Sequence, residues 1–228
     1  MKNKAGIRAL IFDWGGVIQC TADQLPRQQL ARELGLAPET LEQAVFGSEA
    51  WAEASRGQRS AEAAWRIILA DLGLSEESMA GWIQRFFAGD RLNYRLLEGI
   101  RWWRAKGIKV GLLSNALPPL PESIRRLWAK EPNSEHLPQP ACWGLPGFFD
   151  AQVFSYQVGV LKPDPRAYEA VLSALDVPAE VALMIDDSAD NVMGARRVGM
   201  EALCFQNTER LLADLDRLGL PLPPFEGD

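Results

Sequence analysis

Residues 11–18, IFDWGGVI, form an apolar run that ends at one carboxylate, Asp13, and is followed at once by two glycines. The segment ALIF (9–12) is typical of a strand buried on both faces, because no polar residue alternates with the apolar ones. The glycines favour a turn whose free N–H groups can hold an anion. The stretch therefore predicts a strand of a parallel sheet that presents a carboxylate at its carboxyl end.

Further apolar runs predict the other strands of that sheet. Three are clear and one, AQVFSY, is weaker; they are KVGLL (109–113), VALMI (181–185), EALCF (201–205) and AQVFSY (151–156). Helical patterns lie around them, at 91–106, 164–175, 189–198 and 207–217. Strands that alternate with helices are typical of a doubly wound, Rossmann-like α/β fold with a parallel sheet.

The first third of the chain breaks this alternation. Several helix-period segments and no convincing strand lie between residues 20 and 90. We predict an α/β core domain of residues 1–18 and 91–228 and a small all-helical domain of residues 19–90, inserted after the first strand. A proline-rich stretch at 116–147 is predicted to be irregular, with a short helix near 121–130.

Composition narrows the classes of partner and compartment. The net charge of −6 argues against a nucleic-acid partner, which attracts basic surfaces. No run approaches the roughly 18 apolar residues of a membrane span, and the amino-terminal residues do not resemble a secretory signal. Three scattered cysteines give neither a metal motif nor a disulfide framework, so we expect a cytoplasmic protein. The single histidine, His136, argues against a multi-histidine zinc site or a Ser-His-Asp triad.

Polar residues follow three of the predicted strands, at the point where each strand ends. They are Asp13, the pair Ser114 and Asn115, and the pair Asp186 and Asp187. In open α/β sheets ligands bind outside the carboxyl ends of the strands, so these side chains are expected at one crevice. Clustered carboxylates indicate a hard cation such as Mg²⁺, and Lys162 would add a positive charge beside them.

Four segments together resemble the haloacid dehalogenase-like (HAD) hydrolase superfamily. They are FDWGGVI, LLSNA, KPDPRAYE and MIDDSADNVMGA, in the family's order and spread over residues 7–205. The helical insertion resembles the type 1 cap of subfamily I. The form DDSADN, together with FDxGG, resembles the branch that contains sugar-phosphate phosphatases and the phosphatase domain of epoxide hydrolases.

The resemblance implies a role for each residue of the predicted site. Asp13 would attack phosphorus and form an aspartyl-phosphate that water hydrolyses. Mg²⁺ would be held by Asp13, the Gly15 carbonyl and Asp187, with Asp186 supporting it through a water. Lys162 would bind Asp13 and a phosphate oxygen. Ser114 and the backbone of Asn115 would bind another phosphate oxygen, and Trp14 is expected at the crevice floor as a substrate contact.

The expected activity is that of a Mg²⁺-dependent phosphatase acting on a small phosphorylated metabolite, with a sugar phosphate as one candidate. An alternative is a degenerate HAD-fold binding or regulatory protein with weak or no catalysis. Its support is Gly15, because most family phosphatases have there a general acid, a role worth about 10²–10⁴-fold. A haloacid dehalogenase shares the nucleophile but lacks paired acids such as Asp186 and Asp187, and a phosphomutase would need the acid missing at Gly15.

Overall fold

The computed structural model describes residues 6–118 and 148–225. Within them lie seven strands: β1 (Ala9–Phe12), β2 (Gln19–Thr21), β3 (Asp90–Leu92), β4 (Lys109–Ser114), β5 (Ala151–Phe154), β6 (Ala182–Asp186) and β7 (Glu201–Cys204). Five of them form one parallel sheet in the order β5-β4-β1-β6-β7. The central strand is β1, whose Ile11 is aligned with Gly111 of β4 and Met184 of β6.

Helices cover both faces of this sheet. The helices among the described residues are α1 (Leu25–Glu33), α2 (Pro38–Phe46), α3 (Glu49–Ser55), α4 (Ala61–Asp71), α5 (Met79–Phe86), α6 (Tyr94–Ala105), α7 (Ser155–Val158), α8 (Pro165–Leu175), α9 (Ala189–Arg197) and α10 (Thr208–Arg217). Leu10 and Phe12 pack in one hydrophobic cluster with α6 and α10, whereas Ala9 and Ile11 pack in another with α8 and α9. The predicted doubly wound α/β fold is therefore confirmed.

Helices α1 to α5 have a hydrophobic cluster of their own. It contains buried residues of all five helices, among them Leu30, Leu41, Ala54, Trp65 and Phe86. The aromatic rings meet edge to face or stacked, as Trp65 does with Phe86 at a centroid separation of 6.4 Å. Packing around a separate core is what a small inserted helical unit requires.

Two short strands connect this helical unit to the sheet domain. Strand β2 pairs antiparallel with β3, with Cys20 opposite Arg91. The expectation that residues 20–90 hold no strand is therefore wrong at both ends of the segment. Each strand has three residues, which is too short for an alternating pattern to stand out in the sequence.

The other predicted strands of the sheet are present with local changes in their bounds. Strand β4 extends to Ser114, and the weak segment at 151–156 is a strand up to Phe154, after which α7 begins. The predicted helix near 121–130 and most of the proline-rich stretch lie outside the described residues. Among the helices that are described, none has the length and apolar character that crossing a bilayer would require.

Candidate active site

The carboxyl ends of three adjacent strands bring the predicted polar residues together. Asp13 directly follows β1, Ser114 is the last residue of β4, and Asp186 is the last residue of β6. Because β1 lies between β4 and β6, these residues occupy neighbouring positions at one edge of the sheet. Parallel pairing thus places the polar ends of three distant segments side by side.

Lys162 joins two of the carboxylates. Its Nζ lies 2.7 Å from Asp13 Oδ1 and 2.6 Å from Asp186 Oδ2, and it donates a hydrogen bond of 3.0 Å to the Leu113 carbonyl. Burial alone would lower the pKa of Lys162, but the two carboxylates raise it above its ordinary value. The side chain is fully buried and is held as an ammonium group by its partners.

Asp13 is buried, with 8% of its surface exposed. One carboxylate oxygen, Oδ1, accepts hydrogen bonds from the Trp14 backbone N–H at 2.7 Å and from Lys162. The other oxygen forms no hydrogen bond with the residues that the structure describes. Burial raises the pKa of Asp13 to about 7; Lys162 opposes this shift, while Asp186 and Asp187 add to it. A second positive charge near Asp13 would therefore favour its ionised form.

Asp186 and Asp187 differ in their surroundings although they are adjacent. Asp186 is fully buried, and its oxygens accept hydrogen bonds from Lys162, from the Ser188 N–H at 2.9 Å and from Asn191 Nδ2 at 3.0 Å. Asp187 is solvent exposed, and partial desolvation together with Asp186 raises its pKa. Asp186 therefore fixes Lys162, whereas Asp187 remains accessible to a ligand.

The carboxylates form a donor set suited to a divalent cation. Asp13, Asp186 and Asp187 each offer an oxygen, and these oxygens lie within 4.8 Å of one another. Oxygen-only donors of negative charge suit Mg²⁺, which takes one or two carboxylates and completes its shell with water and phosphate oxygens. The residues present therefore fit the predicted ion, with Asp13 and Asp187 as the carboxylates that still have a free oxygen.

The two glycines after Trp14 stand in different surroundings. Gly16 has φ +74°, and a Cβ at this position would overlap the Asp187 carboxylate. Gly15 has ordinary backbone geometry, and a Cβ there would meet no heavy atom within 4 Å. The backbone conformation and the Asp187 carboxylate therefore favour glycine at position 16, whereas a side chain at position 15 would extend into unoccupied space.

Ser114 and Asn115 have distinct environments. The Asn115 side chain brackets the backbone of Lys162: Nδ2 donates to the Lys162 carbonyl at 3.0 Å, and Oδ1 accepts from the Lys162 N–H at 2.8 Å. Ser114 as a whole is 3% exposed, and its hydroxyl forms no hydrogen bond with any described residue. A phosphate contact by Asn115 would therefore use its backbone, as the sequence predicts, and Ser114 has a hydroxyl to offer.

Trp14 does not occupy the place expected for it. Its side chain is 2% exposed and packs in the cluster between the sheet and α6. The indole Nε1 donates a hydrogen bond of 2.7 Å to Gln19 Oε1. The substrate contact predicted for Trp14 does not fit this geometry. The ring is buried and its N–H is already hydrogen-bonded, so neither is available to a substrate in the crevice.

Sequence reasoning also missed two residues beside the site. Asn191 lies within the motif DDSADN and holds Asp186, so the motif itself carried a signal for it. Gln19 holds Trp14, and its partner on the other side, Asp90, is 71 residues away in the chain. No local pattern predicts a contact over that separation.

Comparisons with known proteins identify the family of the chain. The model of the haloacid dehalogenase-like hydrolase family matches residues 7–199. A sesquiterpene phosphatase from Aspergillus oryzae is 26% identical over 196 residues, 86% of this chain and 88% of that protein. A D-ribitol-5-phosphate phosphatase from Bacteroides thetaiotaomicron is 28% identical over 206 residues, 88% of this chain and 93% of that protein.

A solved structure shares the fold. It is a HAD family enzyme from Bacteroides thetaiotaomicron in complex with magnesium and inorganic phosphate, with a TM-score of 0.66 at 17% identity. The match covers 90% of this chain and 98% of that one. With the family model covering most of the sequence and the relatives named as phosphatases, the chain belongs to the haloacid dehalogenase-like hydrolase family and is a phosphatase-like hydrolase.

Proposed function

We propose that the protein is a Mg²⁺-dependent phosphatase that hydrolyses a small phosphorylated metabolite through an aspartyl-phosphate on Asp13. The observation that carries this proposal is the position of Lys162 Nζ, 2.7 Å from Asp13 Oδ1 and 2.6 Å from Asp186 Oδ2. This arrangement holds one oxygen of Asp13 and leaves the other without a hydrogen bond among the described residues. An oriented carboxylate with one free oxygen is what an in-line attack on phosphorus requires.

In the first step the free oxygen of Asp13 bonds to phosphorus while the bond from phosphorus to the leaving oxygen breaks. Lys162 and the Trp14 N–H fix the other oxygen, so the nucleophile loses little freedom on reaching the transition state. In the second step water attacks the phosphorus of the aspartyl-phosphate, and the Asp13 carboxylate is released together with inorganic phosphate. The two steps together return Asp13 to a free carboxylate: the leaving oxygen takes up one proton in the first step, and the attacking water gives up one in the second.

Negative charge on the phosphoryl group has to be balanced in both steps. The ammonium of Lys162, the Ser114 hydroxyl and the Asn115 backbone N–H are the donors we assign to its oxygens. Mg²⁺, held by Asp13, Asp187 and the Gly15 carbonyl, would supply further positive charge and so lower the cost of bringing a carboxylate to a phosphate dianion. Asp186 keeps Lys162 in place, and a water-mediated contact with the metal is compatible with its position.

We further propose that residues 19–90 act as a cap over the crevice, with residues 1–18 and 91–228 as the core. The separate hydrophobic cluster of α1 to α5 and the two connecting strands support this division. A cap of this kind favours small substrates. The named relatives act on chemically different phosphorylated compounds, a sesquiterpene and a sugar alcohol, so they support the class and leave the individual substrate to experiment.

The test is a phosphate-release assay on D-ribitol 5-phosphate, other sugar phosphates, an isoprenoid phosphate and an aryl phosphate, with Mg²⁺ and with EDTA. We expect turnover that requires both the metal and Asp13, so that Asp13→Asn is inactive under all conditions. Asp190→Asn is the matched control, since Asp190 is an exposed acid in the same motif as Asp186 and should keep its activity. Turnover that persists with EDTA and in Asp13→Asn would refute the mechanism.

The degenerate alternative is tested by the same protein in a binding experiment. If calorimetry shows that Mg²⁺ and inorganic phosphate bind together while no ester is hydrolysed, the chain is a binding protein. Chloride release from a 2-chloro acid without metal would instead indicate a dehalogenase.

A further inference from the structure

We infer that a relay of four side chains sets the position of the nucleophile turn according to the position of helices α1 to α5. The four are Trp14, Asp90 and Arg27, which are buried, and Gln19, which is partly buried. The inference rests on the proposed function, because it assigns positioning residues for the nucleophile Asp13. None of the four relay side chains contacts metal or phosphate in that proposal.

The first part of the relay is the turn that carries Asp13. The Gly16 N–H donates to the Gln19 carbonyl at 2.8 Å, and the Gln19 N–H donates to the Trp14 carbonyl at 2.9 Å. The Trp14 N–H in turn holds Asp13 Oδ1 at 2.7 Å. The backbone of Gln19 therefore closes the turn, and any displacement of Gln19 moves the peptide that orients the nucleophile.

The side chain of Gln19 connects that turn to the second short strand. Its Oε1 accepts from Trp14 Nε1 at 2.7 Å, and its Nε2 donates to Asp90 Oδ2 at 2.7 Å. Both polar atoms of the amide are therefore used, one towards the nucleophile turn and one towards β3. Asp90 has 4% of its surface exposed, so water does not compete effectively for the carboxylate.

Arg27 of α1 completes the relay. Its Nη2 donates to Asp90 Oδ1 at 2.9 Å, and the residue is 6% exposed. The same guanidinium binds Glu42 of α2 at 2.8 Å and the Phe86 carbonyl of α5 at 3.1 Å, and it lies 4.6 Å from the centre of the Phe86 ring. Residues of two other helices, α2 and α5, therefore fix Arg27, and Arg27 fixes Asp90.

Beside the relay, the segment that follows β2 is hydrogen-bonded to the segment that precedes β3. The N–H groups of Ala22 and Asp23 donate to the Gly89 carbonyl at 3.0 and 3.1 Å, and a Cβ on Gly89 would overlap the Asp23 carbonyl. Because neither of these two segments can slide past the other, a rotation of helices α1 to α5 has to move Asp90. Through Gln19 that movement reaches the turn, so the arrangement couples closure over the crevice to the alignment of Asp13.

The experiment compares Gln19→Leu with Thr21→Val. Thr21 Oγ1 donates to Asp90 Oδ1 at 3.0 Å, so this control removes a contact to the same carboxylate without touching the turn. With an aryl phosphate and Mg²⁺ we expect Gln19→Leu to lower kcat by about 10- to 100-fold, with a smaller change in KM, because misplacement of a reacting group by about 1 Å has that effect. Thr21→Val should stay within about twofold of the wild type.

Trp14→Phe provides a second variant in case Gln19→Leu folds poorly. It removes the indole N–H and should lower kcat to a similar degree, and combining it with Gln19→Leu should add little, since both variants break the same link. Equal kcat values for Gln19→Leu, Trp14→Phe and Thr21→Val would overturn the inference.

Hydrogen exchange gives a readout that does not depend on turnover. Amides of residues 14–19 should exchange faster in Gln19→Leu than in the wild type and at an unchanged rate in Thr21→Val. If the wild type hydrolyses no ester, the proposed function fails, but the exchange comparison still decides whether the relay holds the turn. Unchanged exchange in Gln19→Leu would overturn the inference even in an active enzyme.

Discussion

At the scale of single residues, the structure requires glycine at position 16 but not at the adjacent position 15. Gly16 combines φ +74° with contact to the Asp187 carboxylate, so any side chain would be strained and would displace a metal ligand of the proposed site. Gly15 is under no such constraint. The missing side chain at position 15 is therefore not imposed by packing, and its consequences are chemical.

Those consequences are testable with Gly15→Asp. A carboxyl group there can protonate the leaving oxygen, an effect worth about 10²–10⁴-fold in other enzymes. We expect the wild type to hydrolyse aryl phosphates much faster than alkyl phosphates, and Gly15→Asp to raise the alkyl rates far more than the aryl rates. The measurement is kcat/KM against leaving-group pKa. Gly15→Asn is the control of equal size; identical slopes for Gly15→Asp and Gly15→Asn would contradict the prediction.

At the scale of elements, the start of α9 determines how the end of β6 behaves. Ser188 caps the helix by accepting from the Asn191 N–H, and the Asn191 side chain returns to Asp186. The Tyr168 hydroxyl of α8 donates to the Asn191 carbonyl at 2.7 Å. Two helices thus hold the backbone of Asn191, and its side-chain amide orients the carboxylate that holds Lys162.

Asn191→Leu separates this positioning role from simple stability. Removing a hydrogen bond to a charged buried group should cost about 1.5–3 kcal/mol of unfolding free energy. We also expect kcat to fall by about tenfold with KM little changed, since Lys162 loses a fixed partner. Denaturant unfolding and steady-state kinetics measure the two effects, with Asp190→Asn as the control. A loss of stability without loss of kcat would show that Asn191 serves the fold alone.

At the scale of the whole molecule, the site places three carboxylates beside one ammonium at the end of the sheet. Burial of Asp13, and to a lesser extent the nearby Asp186 and Asp187, opposes folding when no cation is bound, because Asp13 loses its proton far less readily in the folded protein than in the unfolded chain. The metal-free protein should therefore lose stability as Asp13 ionises. Function and stability are in conflict at this edge of the sheet.

The sign of the pH effect follows from the pKa of Asp13. Its folded value is about 7 and its ordinary value is 3.8, so between these values the folded state holds a proton that the unfolded state has released. Stability then falls as pH rises through this window, and above it the loss due to Asp13 is complete and no longer changes with pH. In EDTA, calorimetry from about pH 4 to about pH 8 should show the Tm of Asp13→Asn rising relative to the wild type up to about pH 7. Parallel curves would contradict the prediction.

Much of the fold and part of the site could be predicted from the sequence. The strand at 9–12 appears with the predicted bounds, and the acids that follow the first and fourth buried runs do meet at one edge. Strands β2 and β3 could not be predicted, because three residues are too few for a pattern. The Trp14 side chain was misplaced, since its neighbours in the sequence do not reveal that Gln19 pairs its indole N–H.

The sequence by itself determined the sheet, the carboxylates at its strand ends and the family of the chain, because these depend on runs of a few consecutive residues. Tertiary structure alone decided which oxygen of Asp13 is held, why the pKa of Asp13 rises, and how Gln19 and Asp90 connect the nucleophile turn to α1. Those properties arise between segments separated by tens of residues. Burial and distance, which act on the charges, exist only once the chain is folded.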